Sequence, residues 1–322
     1  MGQAGKRAAR RLVAGGLLLA TLSGCVGLPF GTAGMRTSPR PAPAPAALGV
    51  VAPRSAESLA VQAYYRQIEQ TLIGRGLLRL DVAPRDAPFA THQLVDNFIH
   101  IALYDEYSAL GGGFVARTQS SRLRRWAEPV RMAVEFGASV PLAERATDRA
   151  TVSAYAGQLS AASRHPVQMV ETNPNFAVLV VNEDERRALG PRLAELVPGI
   201  DAGSVSAITN LAPSTFCVVF AFSEGASPAY RRAVAVIRAE HPERLRRSCL
   251  HEELAQGMGL ANDYPHARPS IFNDDEEFAL LTRMDELMLR ILYDPRLRPG
   301  MLEPEATPII RTIAAELMDG NS

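Results

Sequence analysis

The chain has 322 residues, 47% of them hydrophobic, which is enough for one large buried core or two smaller ones. Its 34 Lys and Arg balance 34 Asp and Glu, for a formal net charge of zero. That balance, with no basic stripe interleaved with aromatics, sets nucleic acid aside as a partner.

Lys6, Arg7, Arg10 and Arg11 precede the short apolar run "LVAGGLLLATL", Leu12 to Leu22. The run is too short to span a bilayer permanently, so it predicts an export signal. It ends in "LSGC", Leu22 to Cys25, which resembles the lipobox of bacterial lipoproteins. The resemblance implies cleavage before Cys25, diacylation of its thiol and acylation of the new N-terminus. Three acyl chains anchor a protein stably, whereas one is marginal. Val26 follows the cysteine, with no Asp there to retain the protein at the inner membrane. The expected place is therefore the periplasmic face of the outer membrane, with the membrane itself as one partner. Residues 1–24 form the signal. Residues 25–54, rich in Pro and Ala, form an extended tether. With Cys25 lipidated, Cys217 and Cys249 remain as an even pair in an oxidising compartment. A disulfide between them and two buried free thiols both fit.

Residues 55–125 predict an N-terminal helical layer. Leu59, Tyr64, Ile68 and Leu72 have helical spacing between a candidate N-cap, Ser55, and a stop, Gly74. Leu94, Phe98, Ile101 and Tyr104 predict a second helix from Thr91 to Ala109, ended by three glycines at 111–113. The main domain is expected over 126–301. Alternation in "PVRMAVEFG" predicts a half-buried strand, and Thr147 to Ser163 an amphipathic helix. "PVQMVE" and the nearly continuous "NFAVLVV" predict strands, the second central, and "DERRALGPRLAELV" a charged inserted helix. "TFCVVFAF" and "YRRAVAVIRAE" predict further strands. Helices are expected at Arg244 to Leu260 and, with a near capping box of Thr282 and Asp285, at Thr282 to Tyr293. Residues 302–322 form a C-terminal tail or helix. This order predicts an α+β fold with a mixed sheet and two long helices.

The chemistry concentrates in "CLHEELAQGMGLAND", Cys249 to Asp263. A zinc-peptidase helix sets two histidines four residues apart on one face, with a glutamate beside the first to polarise a bound water. Counted from His251 the partner position is Ala255, whose methyl group ligates nothing. One residue later, "EELAQGMGLAN" overlays the longer HExxHxxGxxH pattern. Glu252, Gln256 and Asn262 then stand at the three ligand positions and Glu253 at the catalytic glutamate. Gly259 stands where the helix must turn away.

On these residues the chain resembles the metzincin-type zinc peptidases, and more closely a proteobacterial family of predicted lipoproteins classed as a domain of unknown function. That family carries an EExxQxxGLxND helix. The resemblance runs from about Trp126 to Met301, and includes "RPSIFNDDEEFALLT" and "DELMLRILYDPRLRPGM". In metzincins the helix is followed by a tight turn with a methionine beneath the metal and then a closing helix. "PSIF", Pro269 to Phe272, takes the place of that turn, with Phe272 for the methionine.

The resemblance leaves three readings open. The favoured one is a degenerate, catalytically silent peptidase fold that binds an envelope protein or peptide. Glu252, Gln256 and Asn262 then satisfy one another by hydrogen bonds and no cofactor is needed. The second is an oxygen-ligated site for Ca²⁺, Mg²⁺ or Mn²⁺ on Glu252, Gln256 and Asn262 or Asp263, since neutral carboxamides suit zinc poorly. The third is an active hydrolase with Glu253 as general base and His251 or His266 completing a zinc site. His251 lies about 100° round the helix from the ligand face, which counts against zinc. The acidic run Asn273 to Glu277 reads as a solvated loop.

Overall fold

A computed structural model describes residues 53–110 and 113–320. The signal, the tether as far as residue 52 and Cys25 lie outside the described residues. Helix α1 (Ala56–Gly74) opens on Ser55, whose hydroxyl accepts from the Ser58 amide as an N-cap. Helix α2 (Thr91–Ala102) is shorter than the sequence predicts, because the chain leaves helical geometry at Leu103. It continues as a hairpin of β1 (Tyr104–Leu110) and β2 (Gly113–Ser120). The N-terminal layer is thus not purely helical, and Gly113 opens β2 instead of following a helix end.

The main sheet is built from β3 (Arg125–Trp126), β4 (Val130–Phe136), β5 (Val167–Met169), β6 (Phe176–Val181), β7 (Cys217–Ser223) and β8 (Ala229–Arg238). Strands β5, β4, β6 and β8 run parallel in that order, with β3 pairing parallel to the start of β8. Only β7 is antiparallel, lying along β8 from Cys217 opposite Ile237 to Ser223 opposite Tyr230. The architecture is therefore a mixed α/β fold with a mostly parallel sheet, where the sequence predicted α+β.

Both faces of the sheet are covered, which explains why β6 reads as a continuous apolar run. Phe176, Val178 and Val180 point into the larger core with α3 (Leu142–Ser163), α7 (Glu243–Gln256) and α8 (Arg283–Leu292). Ala177, Leu179 and Val181 point into a smaller core beneath α5 (Gly190–Leu196) and α6 (Ala202–Thr209). The inserted charged helix is two short ones, α4 (Glu183–Arg187) and α5, separated at Ala188. The C-terminal segment is a helix, α9 (Glu303–Asp319), buried through Ala306, Ile310, Ile313 and Ala314.

Two further ties fix the elements around α7. A disulfide joins Cys217, first residue of β7, to Cys249 in α7. The loop it closes spans 32 residues, for which the chain-entropy account gives about 3–4 kcal/mol. At the C-terminal end of the helix, the Trp126 indole nitrogen donates to the Gly257 carbonyl at 2.8 Å, and Gly257 packs against the Phe176 ring. Helix α7 is thus tied to β7 at its middle and to β3 and β6 at its C-terminal end.

Candidate functional site

The groove between α7 and β7 is the mouth of a cavity of about 590 Å³. Phe216 to Ala221 form one wall and Glu252, Glu253 and Gln256 form the floor. The last turns of α1, with Ile68, Thr71, Leu72 and Arg75, close one side. Asp274 and Glu276 close it further, from a loop held to the chain after α1 by bonds from the Leu78 amide to the Glu276 carbonyl and from the Arg79 amide to the Glu277 carbonyl, both 2.7 Å. At the far end stand Tyr230, Asp105 and Arg124, whose Nη2 donates to Asp105 Oδ2 at 2.9 Å.

Glu252, Glu253, Gln256 and Asp263 are brought together here, as the register beginning at Glu252 requires. Glu253 is buried on the floor, and the Gln256 amide reaches Asp263 Oδ1 at 3.4 Å. The polar floor network therefore runs to Asp263, not to Asn262.

Asn262 departs from its expected role. Its backbone amide donates to the Ile101 carbonyl at 3.1 Å and its Nδ2 to the His100 carbonyl at 2.9 Å. It satisfies the last carbonyls of α2, which have no helical partners of their own. It is buried and does not line the cavity. The cause is Gly259, at φ 122°. The turn there carries the chain toward α2, with Ala261 and Asp263 facing the cleft and Asn262 between them facing away.

His251 and His266 do not complete a metal site. His251 is buried on the opposite side of α7, stacked on Tyr155 at 3.9 Å, with Nδ1 accepting from the Leu281 amide. Burial, aided by the Arg247 charge, lowers its pKa to about 3, so it stays neutral. His266 is exposed and meets the Tyr264 ring edge-on. Among the described residues no group of three His, Cys, Asp or Glu side chains is arranged to hold a metal ion. The donors at the expected ligand positions do not fit zinc: one is a carboxylate, one a neutral carboxamide, and the third is turned away.

Beneath the helix, the turn at Ser270 to Phe272 is buried and fixed by Asp285, in the first turn of α8. The Asp285 carboxylate accepts from the Ser270 hydroxyl (2.6 Å), the Ile271 amide (3.2 Å) and both the amide and the hydroxyl of Thr282 (2.7 and 2.8 Å). Full burial outweighs these donors and pushes its pKa up to about 6. Phe272 lies in the same core as Leu254 and Met258.

Sequence reasoning missed Ile68, Leu72, Arg75, Asp105 and Arg124 as parts of this site. They come from elements far away in sequence, and no motif marks them. The run Asn273 to Glu277, read as a solvated loop, contributes two of its acids to the cavity wall.

A family model described as "Protein of unknown function (DUF2927)" matches residues 91–312. No curated protein and no solved structure matches the chain.

Proposed function

The chain belongs to the DUF2927 family, matched over more than half its length, and on the geometry of its cleft we propose that it is a lipid-anchored envelope protein that binds polypeptide without cutting it. The anchor is Cys25, facing the periplasm from the outer membrane, and it rests on the order of charged stretch, apolar run and "LSGC" in the sequence. The partner is an extended segment of an envelope protein or peptide.

A metzincin-like ancestry is supported by the order of parts along the chain. A helix bearing adjacent glutamates is turned back by Gly259, passes to the buried turn at Ser270 to Phe272, and returns as α8. The observation that carries the non-catalytic reading is the position of Asn262. The side chain at the third ligand position serves as a cap on α2, which leaves a cleft built for contact and without a zinc-ligand set. The cleft also offers a means of binding. Strand β7 pairs with β8 along one side, and its residues from Cys217 to Ala221 line the cavity, so a bound segment would lie against a strand.

One observation favours a peptidase as the second reading: Glu253 sits on the cleft floor, where a general base is needed. The two readings part on one experiment with the full-length chain in neutral detergent. A fluorescein-labelled ten-residue peptide alternating Val and Ser will bind, as followed by fluorescence anisotropy, and mass spectrometry will recover it intact after prolonged incubation. Glu253→Gln will bind it equally well. Cleavage by the unaltered chain that is abolished in Glu253→Gln would instead establish the peptidase.

A further inference from the structure

We propose that α1 is a lid on the cleft, docked over a buried, unpaired imidazole, His241, and released by acid. Control of this kind needs only the cavity, whatever binds in it. The last turns of α1 close one side of that cavity with Ile68, Thr71, Leu72 and Arg75. The helix precedes the family match, which begins at residue 91, and it packs outside the main core. Val61 and Tyr65, its buried apolar residues, join Leu78, Leu245 and Ala279 in a small cluster of their own. Its other ties are polar. Ser58 Oγ donates to Glu240 Oε1 at 2.6 Å, Glu69 Oε2 accepts from the Leu245 amide at 2.8 Å, and Glu57 pairs with Arg187. An element with few buried apolar contacts opens at low cost. Gly76, at φ 77°, follows the helix as a pivot.

The seam beneath α1 is poorly satisfied. The Tyr65 ring meets the His241 ring edge-on at 4.4 Å, and the Phe216 ring meets it at 6.3 Å. His241 is 2% exposed, yet both its ring nitrogens lack a hydrogen-bond partner among the described residues, as does Glu240 Oε2 beside it. Unpaired buried polar groups cost free energy that hydration returns. Docking of α1 is what keeps them dry.

The charges around His241 make that cost depend on pH. Arg238 and Arg246 stand nearest, the first committed to Glu183 and the second to Glu144 and Asp148 of α3. Tyr65 and Arg66 face the seam from α1, and Glu243 and Arg247 from α7. Burial, aided by the Arg238 and Arg246 charges, holds the imidazole well below its ordinary 6.5, so it is neutral when docked. Released and hydrated, it returns toward 6.5 and takes up a proton that the docked state refuses. Docking is therefore fully favoured above pH 6.5, and below it release gains up to about tenfold per pH unit. Asp148 and Glu276 titrate with the opposite sign, because burial raises both, Glu276 to about 7. Acid release thus belongs to His241 and disappears with it.

The test is amide hydrogen exchange read by mass spectrometry on the full-length chain in neutral detergent, corrected for the intrinsic pH dependence of exchange. From about pH 7.5 to about pH 5.5 the opening constant of α1, including residues 68–74 at the cavity, is expected to rise about tenfold, while that of β6 stays constant. His241→Gln should abolish the rise, and so should His241→Phe, which also removes the unpaired nitrogens; either variant suffices if the other fails to fold. Unchanged protection of α1 across this range would overturn the lid. A rise that persists in a folded His241 variant would overturn the role of His241. A matching rise in β6 would mark global destabilisation and overturn both, and a rise that spares residues 68–74 would overturn the action on the cleft.

Discussion

Replacing Glu183 with alanine will destabilise the chain by about 3–5 kcal/mol, the cost of leaving buried charge uncompensated. Its carboxylate is almost fully buried just beyond the end of β6 and is shared by three guanidiniums. Arg186 Nη2 approaches Oε1 at 2.6 Å, Arg187 Nε approaches the same oxygen at 3.0 Å, and Arg238 Nη1 approaches Oε2. The two innermost cations also donate to carbonyls, Arg186 to Ile208 and Arg238 to Leu211, Ala212 and Thr215. Alanine would strand both guanidiniums in the interior together with the loops they hold. Glutamine at 183 should cost less, since its amide oxygen still accepts one bond. Urea unfolding read at equilibrium measures the difference as a shift in midpoint at constant slope.

The same network carries a pH signature. Burial alone would raise the Glu183 pKa, but Arg186 and Arg238 outweigh it and hold the group below its ordinary value of 4.5. A carboxylate with a depressed folded-state pKa stabilises fully above the unfolded value and loses that contribution as the pH falls through the folded one. The gap between the unaltered chain and Glu183→Gln should therefore be constant near neutrality and shrink below about pH 4.5. A gap that instead widened on acidification would contradict this assignment.

Gly259→Ala is expected to cost about 2–4 kcal/mol, combining backbone strain with overpacking. At φ 122° an L side chain is strained even in open space, and the space here is closed. An added Cβ would run into the Arg124 carbonyl oxygen and crowd a Leu292 methyl group. The first of these is backbone and cannot swing aside. The effect should reach the cleft as well, because the turn at Gly259 sends Asn262 to α2 and leaves Asp263 facing the cavity. The variant should bind peptide more weakly than its lost stability alone explains, measured by anisotropy at a temperature where both chains are folded. Full affinity in a destabilised Gly259→Ala would separate the turn from the site.

The parts of this protein that were legible in its sequence are those set by local pattern. Ser55 caps α1 and Thr282 with Asp285 caps α8 because capping chemistry is contained within four residues. Strand β6 was legible because cover on both faces leaves no polar position in it. Helix α2 was overread by seven residues: Tyr104 continues its apolar spacing, and no glycine or proline marks the break at Leu103. The two-residue β3 and the small-residue helix α6 carry too weak a pattern to find.

At the site, the register of Glu252, Glu253 and Gln256 followed from the overlay on the HExxHxxGxxH pattern, whose ligand positions four apart share one helix face. The fate of Asn262 did not, because it depends on the direction the chain takes after Gly259 and on the His100 and Ile101 carbonyls, far earlier in the chain, that need a donor. The cavity walls were hidden for a related reason. The edge of β7, the end of α1 and the loop at Asp274 meet only through tertiary packing. The pairing of Cys217 with Cys249, one of two options open from composition, places one end of that edge against the helix.

The cleft is proposed to keep the helix and glycine turn of a zinc peptidase without its ligand set. The most direct measurement is the metal content of the full-length chain, purified in neutral detergent without chelators and analysed by inductively coupled plasma mass spectrometry. The account predicts zinc well below one ion per chain, with no difference between the unaltered protein and Glu252→Ala. One tightly held zinc per chain, lost on Glu252→Ala, would contradict it.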